Sequence, residues 1–127
     1  MKAPVLVSKD ENGQALIPSE WRNVLVNIVE AFKEGDFKLD RGIHGVRPVD
    51  DDDAVKIERN IKSYGVELAS LPEDTWQTSV CQWMQGYWDV LIDLYTVEEG
   101  ASDLVLFVRV HENGSEYVYE VQSVYVP

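Results

Sequence analysis

The sequence predicts an α+β fold in which two N-terminal helices pack on one face of a four- to five-stranded antiparallel meander sheet. Three observations lead to this class. Apolar residues recur with helical spacing in two segments before Gly65, and the apolar period changes to two after it. The Asn113-Gly114 pair then predicts a tight hairpin. A chain of 127 residues suits a single domain.

The N-terminal segment, residues 1–17, is predicted to be an extension, either mobile or folded into a small hairpin across KDENGQ. The first helix follows it. Ser19 is predicted to cap this helix and Gly35 to end it. The helix carries a continuous apolar stripe that predicts a buried face: Trp21, Val24, Leu25, Ile28, Val29 and Phe32.

The second helix starts at a run of four aspartates, residues 50–53. Carboxylates at a helix start cap free N–H groups and favour the positive end of the helix dipole, and the run lacks the spacing of a calcium loop. We therefore predict a capped helix that ends at Gly65. Its predicted core face consists of Ala54, Ile57, Ile61 and Tyr64.

Strands are predicted at residues 66–71, 75–83 and 87–96, with a hairpin at 103–126. A type I′ turn at Asn113-Gly114 needs positive φ at both residues. It predicts a register in which core residues face each other in three pairs: Val110 with Tyr117, Val108 with Tyr119, and Leu106 with Val121. On the opposite side, the register brings Arg109 diagonal to Glu116 and Glu120, and His111 across from Glu116.

Strand 87–96 has an apolar side and a mixed side. The apolar side, predicted to face the core, is Trp88, Val90, Ile92 and Leu94. The mixed side combines aromatic, apolar and acidic residues, as protein-binding surfaces do: Tyr87, Asp89, Leu91, Asp93 and Tyr95. A covering loop or a second subunit is the alternative explanation for this side.

The net charge of −12 is concentrated in the second half of the chain. Residues 1–62 hold ten cations and twelve carboxylates, which gives −2, whereas residues 63–127 hold Arg109 alone against eleven carboxylates, which gives −10. Such a field repels nucleic acid and anionic lipid and attracts cationic partners. Its alternative role is solubility alone.

The chain shows no catalytic signature, and we predict neither enzymatic activity nor a cofactor or metal site. It has no phosphate loop or nucleophile elbow, and its single cysteine, Cys81, is expected to be a small core or strand-surface residue. Asp93, Glu98 and Asp103 could hold Mg²⁺ or pair as acid and base, but nothing local predicts their burial. No apolar run approaches a membrane span or a secretory signal, so we expect a soluble cytoplasmic protein.

The stretch WQTSVCQWMQGYWDVLIDLYTVEEGASDLVLFV and the terminal VYVP resemble an uncharacterised bacterial domain family of unknown function. The resemblance covers about residues 19–127 and implies a small α+β domain, without an assigned activity. In size, acidity and layout, the chain is also similar to the immunity proteins encoded beside secreted bacterial toxins, including those of contact-dependent growth inhibition.

These observations predict an immunity-type inhibitor that neutralises a basic bacterial toxin domain, such as a nuclease. The predicted partner-binding residues are Tyr87, Asp89, Asp93, Tyr95, Glu98, Glu99, Asp103 and Glu120. Two alternatives stay open. One is a small-ligand or regulatory domain with a concave site lined by Trp76, Trp83 and Tyr95, and the other is a structural homodimer joined through the mixed side of the sheet.

Overall fold

The computed structural model describes residues 3–65 and 67–127, and it confirms the α+β fold. Two helices precede most of a five-stranded antiparallel sheet whose spatial order follows the chain. The elements are β1 (Ala15–Leu16), α1 (Ser19–Lys33), α2 (Asp51–Tyr64), a 3₁₀ helix (Glu73–Gln77), β2 (Val80–Trp83), β3 (Trp88–Thr96), β4 (Gly100–Asn113) and β5 (Glu116–Tyr125).

Both helices end where predicted, but only α2 is capped by the predicted side chain. The Asp50 carboxylate accepts a hydrogen bond from the backbone N–H of Asp53 at 2.8 Å. The prediction that Ser19 caps α1 is wrong, because Pro18 occupies the N-cap position. The Ser19 hydroxyl instead accepts from the Val5 N–H at 2.7 Å, which ties the N-terminal segment to the helix.

The helices cover one side of the sheet, which we call the inner face. The four residues predicted for the core side of β3 are all fully buried there. Trp21 of α1 contacts this face edge-on, with its ring centroid 5.1 Å from that of Trp88 and 5.4 Å from that of Tyr117. These aromatic contacts fix α1 against β3 and β5.

The predicted strand over residues 75–83 begins only at Val80. Residues Glu73–Gln77 form the 3₁₀ helix, because the Thr75 and Ser79 hydroxyls bond to the backbone of β3 and replace a neighbouring strand. Of the strand predicted over 66–71, Val66 lies outside the described residues, and Leu68 forms a single antiparallel bridge with Thr96.

The N-terminal extension joins the sheet. In the described part of residues 1–17, β1 is the one strand, and it pairs with β2 through Ala15↔Cys81 and Leu16↔Val80. In the described residues, β1 thus pairs with β2 and not with a strand that precedes KDENGQ. The backbone oxygen of Ser8 also accepts from the Trp88 Nε1–H at 2.8 Å, so this segment lies across the aromatic cluster.

The β4–β5 hairpin turns one residue later than predicted. Asn113 pairs with Glu116, and Gly114, at φ 65°, takes the first central position as in a type II′ turn. The predicted partners are therefore wrong: Val110 faces Tyr119 and Val108 faces Val121, a shift of two residues, and beyond a β-bulge Leu106 faces Val124, a shift of three. The faces near the turn are correct, because an even shift keeps each side chain on its side, and the bulge keeps Leu106 and Val124 buried.

The edge of β5 that pairs with no other strand is contacted by the loop between α1 and α2. The Tyr119 N–H donates to the Gly45 oxygen at 2.8 Å, and the Arg47 N–H donates to the Tyr119 oxygen at 2.9 Å. Gly45 has φ 80°, and a Cβ there would lie 2.9 Å from the Tyr117 oxygen, so only glycine fits this approach. Asn60 of α2 binds the Val124 oxygen at 2.8 Å.

Candidate functional site: the outer face and the two ends of the sheet

The side of the sheet away from the helices, which we call the outer face, carries the predicted mixed surface. Residues that pair directly across an antiparallel sheet lie on the same face, so the pairing places Leu16, Val80, Leu91 and Phe107 in one row. Tyr125 of β5 lies diagonal to Phe107. This row, the apolar stripe, borders a groove of about 310 Å³ that is rimmed by Gln14, Gln82 and Asp89.

One end of the sheet, next to the β4–β5 turn, has its carboxylates paired with basic side chains, and we call it the hairpin end. Arg109 Nε donates to the Asp89 carboxylate at 3.1 Å, and the guanidinium lies 4.8 Å from the Tyr87 ring centroid. The prediction that Arg109 is paired is confirmed. Its partner is Asp89, however, which lies directly across from it on β3, whereas Glu120 lies across from it on β5 and Glu116 lies beside the turn.

The other carboxylates of the hairpin end also have partners. Glu120 is 2.7 Å from Arg47 and 3.1 Å from His111, and the predicted His111–Glu116 pairing is wrong. Glu112 is paired with Lys9 at 2.8 Å, and Glu116 with His44 at 3.1 Å. Asp89 and Glu120, predicted as charges available to a partner, are thus engaged within the molecule.

The opposite end of the sheet, which we call the acidic end, comprises the exposed residues Glu67, Glu98, Glu99 and Asp103. None of the four forms an ion pair with a Lys, Arg or His in the described parts of the chain. Both carboxylate oxygens of Glu98 accept from the Glu67 N–H, at 3.0 and 3.1 Å. This contact fixes the β3–β4 turn but leaves its negative charge without a cation.

Tyr64, in the last turn of α2, reports on this charge. Its hydroxyl accepts from the Asp103 N–H at 3.2 Å. That bond alone lowers the pKa of Tyr64, but partial burial and the carboxylates of Glu99 and Asp103 outweigh it and raise the pKa above its ordinary value. The acidic end is therefore negative enough to resist the formation of a tyrosinate beside it.

Asp93 and Tyr95 lie on the outer face toward the acidic end, and two buried hydroxyls bind the backbone of β3 at Asp93. The Thr75 hydroxyl donates to the Asp93 backbone oxygen at 2.6 Å, and the Ser79 hydroxyl accepts from the Asp93 N–H at 2.9 Å. Sequence reasoning missed both residues. A buried threonine or serine in an alternating pattern looks like any strand residue, so no local signal distinguishes them.

The structure divides the eight predicted partner-binding residues into two groups. Asp93, Tyr95, Glu98, Glu99 and Asp103 lie at or beside the acidic end, whereas Tyr87, Asp89 and Glu120 lie at the hairpin end. Asp89 and Tyr95 are six positions apart on β3, which is roughly 20 Å, and Asp93 lies between them. A single small contact cannot use all eight.

The remaining reactive groups are placed for structural roles. Cys81 is buried, and burial raises the pKa of its thiol to about 11, so the thiolate is scarce at neutral pH. Among the described residues, no three His, Cys, Asp or Glu side chains cluster in a way that could hold a metal ion. No helix in that part of the chain is long and apolar enough to cross a membrane.

The alternative concave site does not form as expected. Trp76 packs in the core beneath Arg22, with the guanidinium 5.3 Å from its ring centroid. Trp83 packs against Trp88 of the inner face, with the ring centroids 4.5 Å apart and the ring planes tilted by 53°, whereas Tyr95 lies on the outer face. These three aromatic residues therefore do not line one cleft.

Comparison with known proteins yields one match. The family model described as a domain of unknown function, DUF7668, matches residues 29–127. No curated protein and no solved structure is significantly similar to the chain. The matched residues contain α2, strands β2 to β5 and all four carboxylates of the acidic end.

Proposed function

We propose that this chain, which belongs to the DUF7668 family of domains of unknown function, is an immunity-type inhibitor that binds and neutralises a basic bacterial toxin domain. The observation that carries the proposal is the acidic end, where Glu67, Glu98, Glu99 and Asp103 are exposed without a cation among the described residues. The toxin class that fits best is a nuclease. A nuclease needs cationic residues to hold phosphates, so these carboxylates can compete for the same groups.

Charge complementarity favours a cationic protein over other partners. Nucleic acid and anionic lipid are repelled by a chain of net charge −12. A basic protein domain is attracted, and long-range attraction raises its association rate by an amount that falls with salt. We assign this attraction to the acidic end, because the carboxylates of the hairpin end are already paired with basic side chains.

Affinity would come from a few desolvated side chains beside the charges. Tyr95 on the outer face and Tyr64 at the end of α2 flank the acidic end, and tyrosine is enriched among the residues that dominate protein interfaces. Asp93 lies two residues before Tyr95 on the same face. The proposal assigns these residues to binding and assigns no catalytic step to the chain. Such an inhibitor acts in the cytoplasm, where it meets the toxin domain before its substrate does.

The test uses the basic protein domain encoded beside the gene for this chain. The two proteins are purified and their association is followed by biolayer interferometry at 50 and 300 mM salt. We expect Glu98→Lys with Glu99→Lys to reduce the association rate by about 10- to 100-fold at low salt, because two steering charges are reversed. Growth rescue on co-expression with the toxin domain should be lost in parallel.

The matched control reverses two exposed carboxylates elsewhere, Asp40→Lys with Asp52→Lys, and changes the net charge equally. This control should lower the association rate by less than about threefold. Equal binding by the acidic-end variant and the wild type would refute the assignment of the site. Absence of binding to any basic neighbouring product would refute the function.

A further inference from the structure

The apolar stripe is a contiguous apolar surface that the helices leave uncovered. It runs across four neighbouring strands as Leu16, Val80, Leu91 and Phe107, with Tyr125 beside it on the fifth. Leu16 is 45% exposed, and the other four are half-buried. Apolar residues that are contiguous across a sheet, rather than scattered, mark an interaction surface.

On the side of the stripe toward the hairpin end, the charges are paired, unlike those of the acidic end. Arg109 is bonded to Asp89 directly beside Phe107 and Leu91. One strand further, Glu120 lies between Arg47 and His111. On the other side of the stripe, Asp93 is the one outer-face carboxylate of β3 without an ion pair among the described residues. A basic partner therefore gains little attraction from the hairpin side of this surface, and an acidic chain meets little repulsion there.

The size of the outer face is sufficient for a modest interface. The five strands span about 19 Å across, and the nine residues of β3 span about 30 Å along the strand. Pairing two such faces would bury up to about 1,100 Å² in total, which reaches the lower limit of specific protein interfaces. An interface of this size gives a reversible, concentration-dependent complex.

We propose that the outer face binds a second copy of this chain, so that two sheets pack face to face about a twofold axis. The apolar stripe of one copy covers that of the other, and the paired charges of the hairpin ends form the polar rim. The exposed carboxylates Glu67, Glu98, Glu99 and Asp103 stay accessible at the tip of each copy. The dimer therefore presents two acidic ends and does not depend on the proposed inhibitor function, and Asp93 and Tyr95 on the outer face are open to a basic partner only in the monomer.

Salt separates this contact from binding to a basic partner. Two chains that each carry −12 repel at long range, and screening reduces that repulsion. Self-association through a neutral apolar face should therefore strengthen as salt rises, whereas binding at the acidic end should weaken. The two proposals predict salt dependences of opposite sign.

Sedimentation velocity of the purified full chain, from 1 to 500 µM and at 50 and 500 mM NaCl, measures the dimer dissociation constant. We expect a monomer–dimer equilibrium whose dissociation constant falls severalfold at the higher salt concentration. Leu91→Lys and Phe107→Lys, made separately, should each raise it by at least about 100-fold, because a charge is then buried in the contact. Val55→Lys is the matched control, since Val55 is 61% exposed on α2, and it should change the constant by less than about threefold.

Far-UV circular dichroism and urea unfolding verify that each variant folds, and the conservative Leu91→Gln serves if a lysine variant does not. A wild-type chain that stays monomeric up to 500 µM at both salt concentrations overturns the proposal. A dimer broken by Val55→Lys but not by the outer-face variants also overturns it. Neither result affects the inhibitor proposal, whose test variants Glu98→Lys and Glu99→Lys lie off this face.

Discussion

The hairpin end and the acidic end of the sheet each hold four carboxylates, but the groups that contact these carboxylates differ. At the hairpin end, Lys9, His44 and Arg47 come from the first 47 residues of the chain, and Arg109 comes from β4. At the acidic end, the described residues supply the Glu67 backbone N–H to the Glu98 carboxylate but no cation. Negative charge that is spread along the second half of the sequence is therefore paired at one end of the folded sheet and unpaired at the other.

The two ends also differ in what holds them together. The hairpin end is built around Trp88, which packs against Trp21, Trp83 and Tyr117. The acidic end has hydrogen bonds between backbone atoms and the side chains of Thr75, Ser79 and Glu98. The aromatic packing is therefore concentrated at one end and the accessible charge at the other.

The largest expected effect tests this difference in packing. Trp88→Ala should lower the free energy of unfolding by about 3–5 kcal/mol, because a fully buried indole is lost from the core. Tyr95→Ala, at the opposite end, should cost about 1 kcal/mol, since its ring is only half-buried. Urea unfolding measures both, with Trp88→Phe as the milder variant. Equal costs would contradict the comparison.

A smaller effect is expected from the hydrogen bonds that hold β3 near the acidic end. Thr75→Val keeps the shape of the side chain but removes the hydrogen bond to the Asp93 backbone oxygen, and it should lower the free energy of unfolding by about 1–3 kcal/mol. Thr78→Val is the control. Thr78 is exposed and its bond to the Thr75 oxygen is long, 3.4 Å, so the cost should stay below about 0.5 kcal/mol. Similar costs for the two variants would show that the buried hydroxyl does not support the strand.

The same loss of charge should change stability in opposite directions at the two ends. Glu120→Gln removes the partner of Arg47 and His111 and should destabilise by about 0.5–1 kcal/mol, as expected for a partly exposed pair. Glu99→Gln removes repulsion among unanswered carboxylates and should stabilise by a few tenths of a kcal/mol. Urea unfolding at 20 mM salt measures both, and 500 mM salt should reduce the difference. Two changes of the same sign would show that the ends are electrically alike.

The smallest effect concerns the titration of Tyr64. Glu99→Gln should lower the pKa of Tyr64, because a neighbouring negative charge is removed. Carbon-13 NMR of the tyrosine Cζ atoms follows the titration, with Tyr64→Phe for assignment. Since the raised pKa keeps the folded state protonated to higher pH than the unfolded chain, stability should fall as pH rises above about 10. An unchanged pKa in Glu99→Gln, as expected only for the distant Asp52→Asn, would mean that this charge is screened.

The sequence was sufficient to predict the helices and the faces of the sheet. Strong periodicity and chemical end signals, such as the Asp50 cap and Gly65, determine these features locally. The hairpin was harder, because loops centred on Asn113-Gly114 and Gly114-Ser115 both use Gly114 and keep the same faces. The two loops differ in turn type, and no short-range sequence pattern indicates which type forms.

The candidate site was predicted only in part because its character depends on contacts between distant residues. Arg47 and Glu120 are 73 residues apart, and no local pattern indicates that they meet. The bonds from Thr75 and Ser79 to Asp93 likewise require the fold first. The acidic charge could be predicted from composition. Which carboxylates are paired with basic side chains and which have no cation beside them could not.

The loop that crosses Tyr119 limits how this chain can assemble. With Gly45 and Arg47 bonded to β5, and with only two residues in β1 at the other margin, neither side of the sheet offers a long row of free backbone groups. The loop and the short β1 therefore disfavour the addition of another strand, and with it growth into fibrils, at both margins. Association through a flat surface about a twofold axis closes after two copies, so the chain can pair without polymerising.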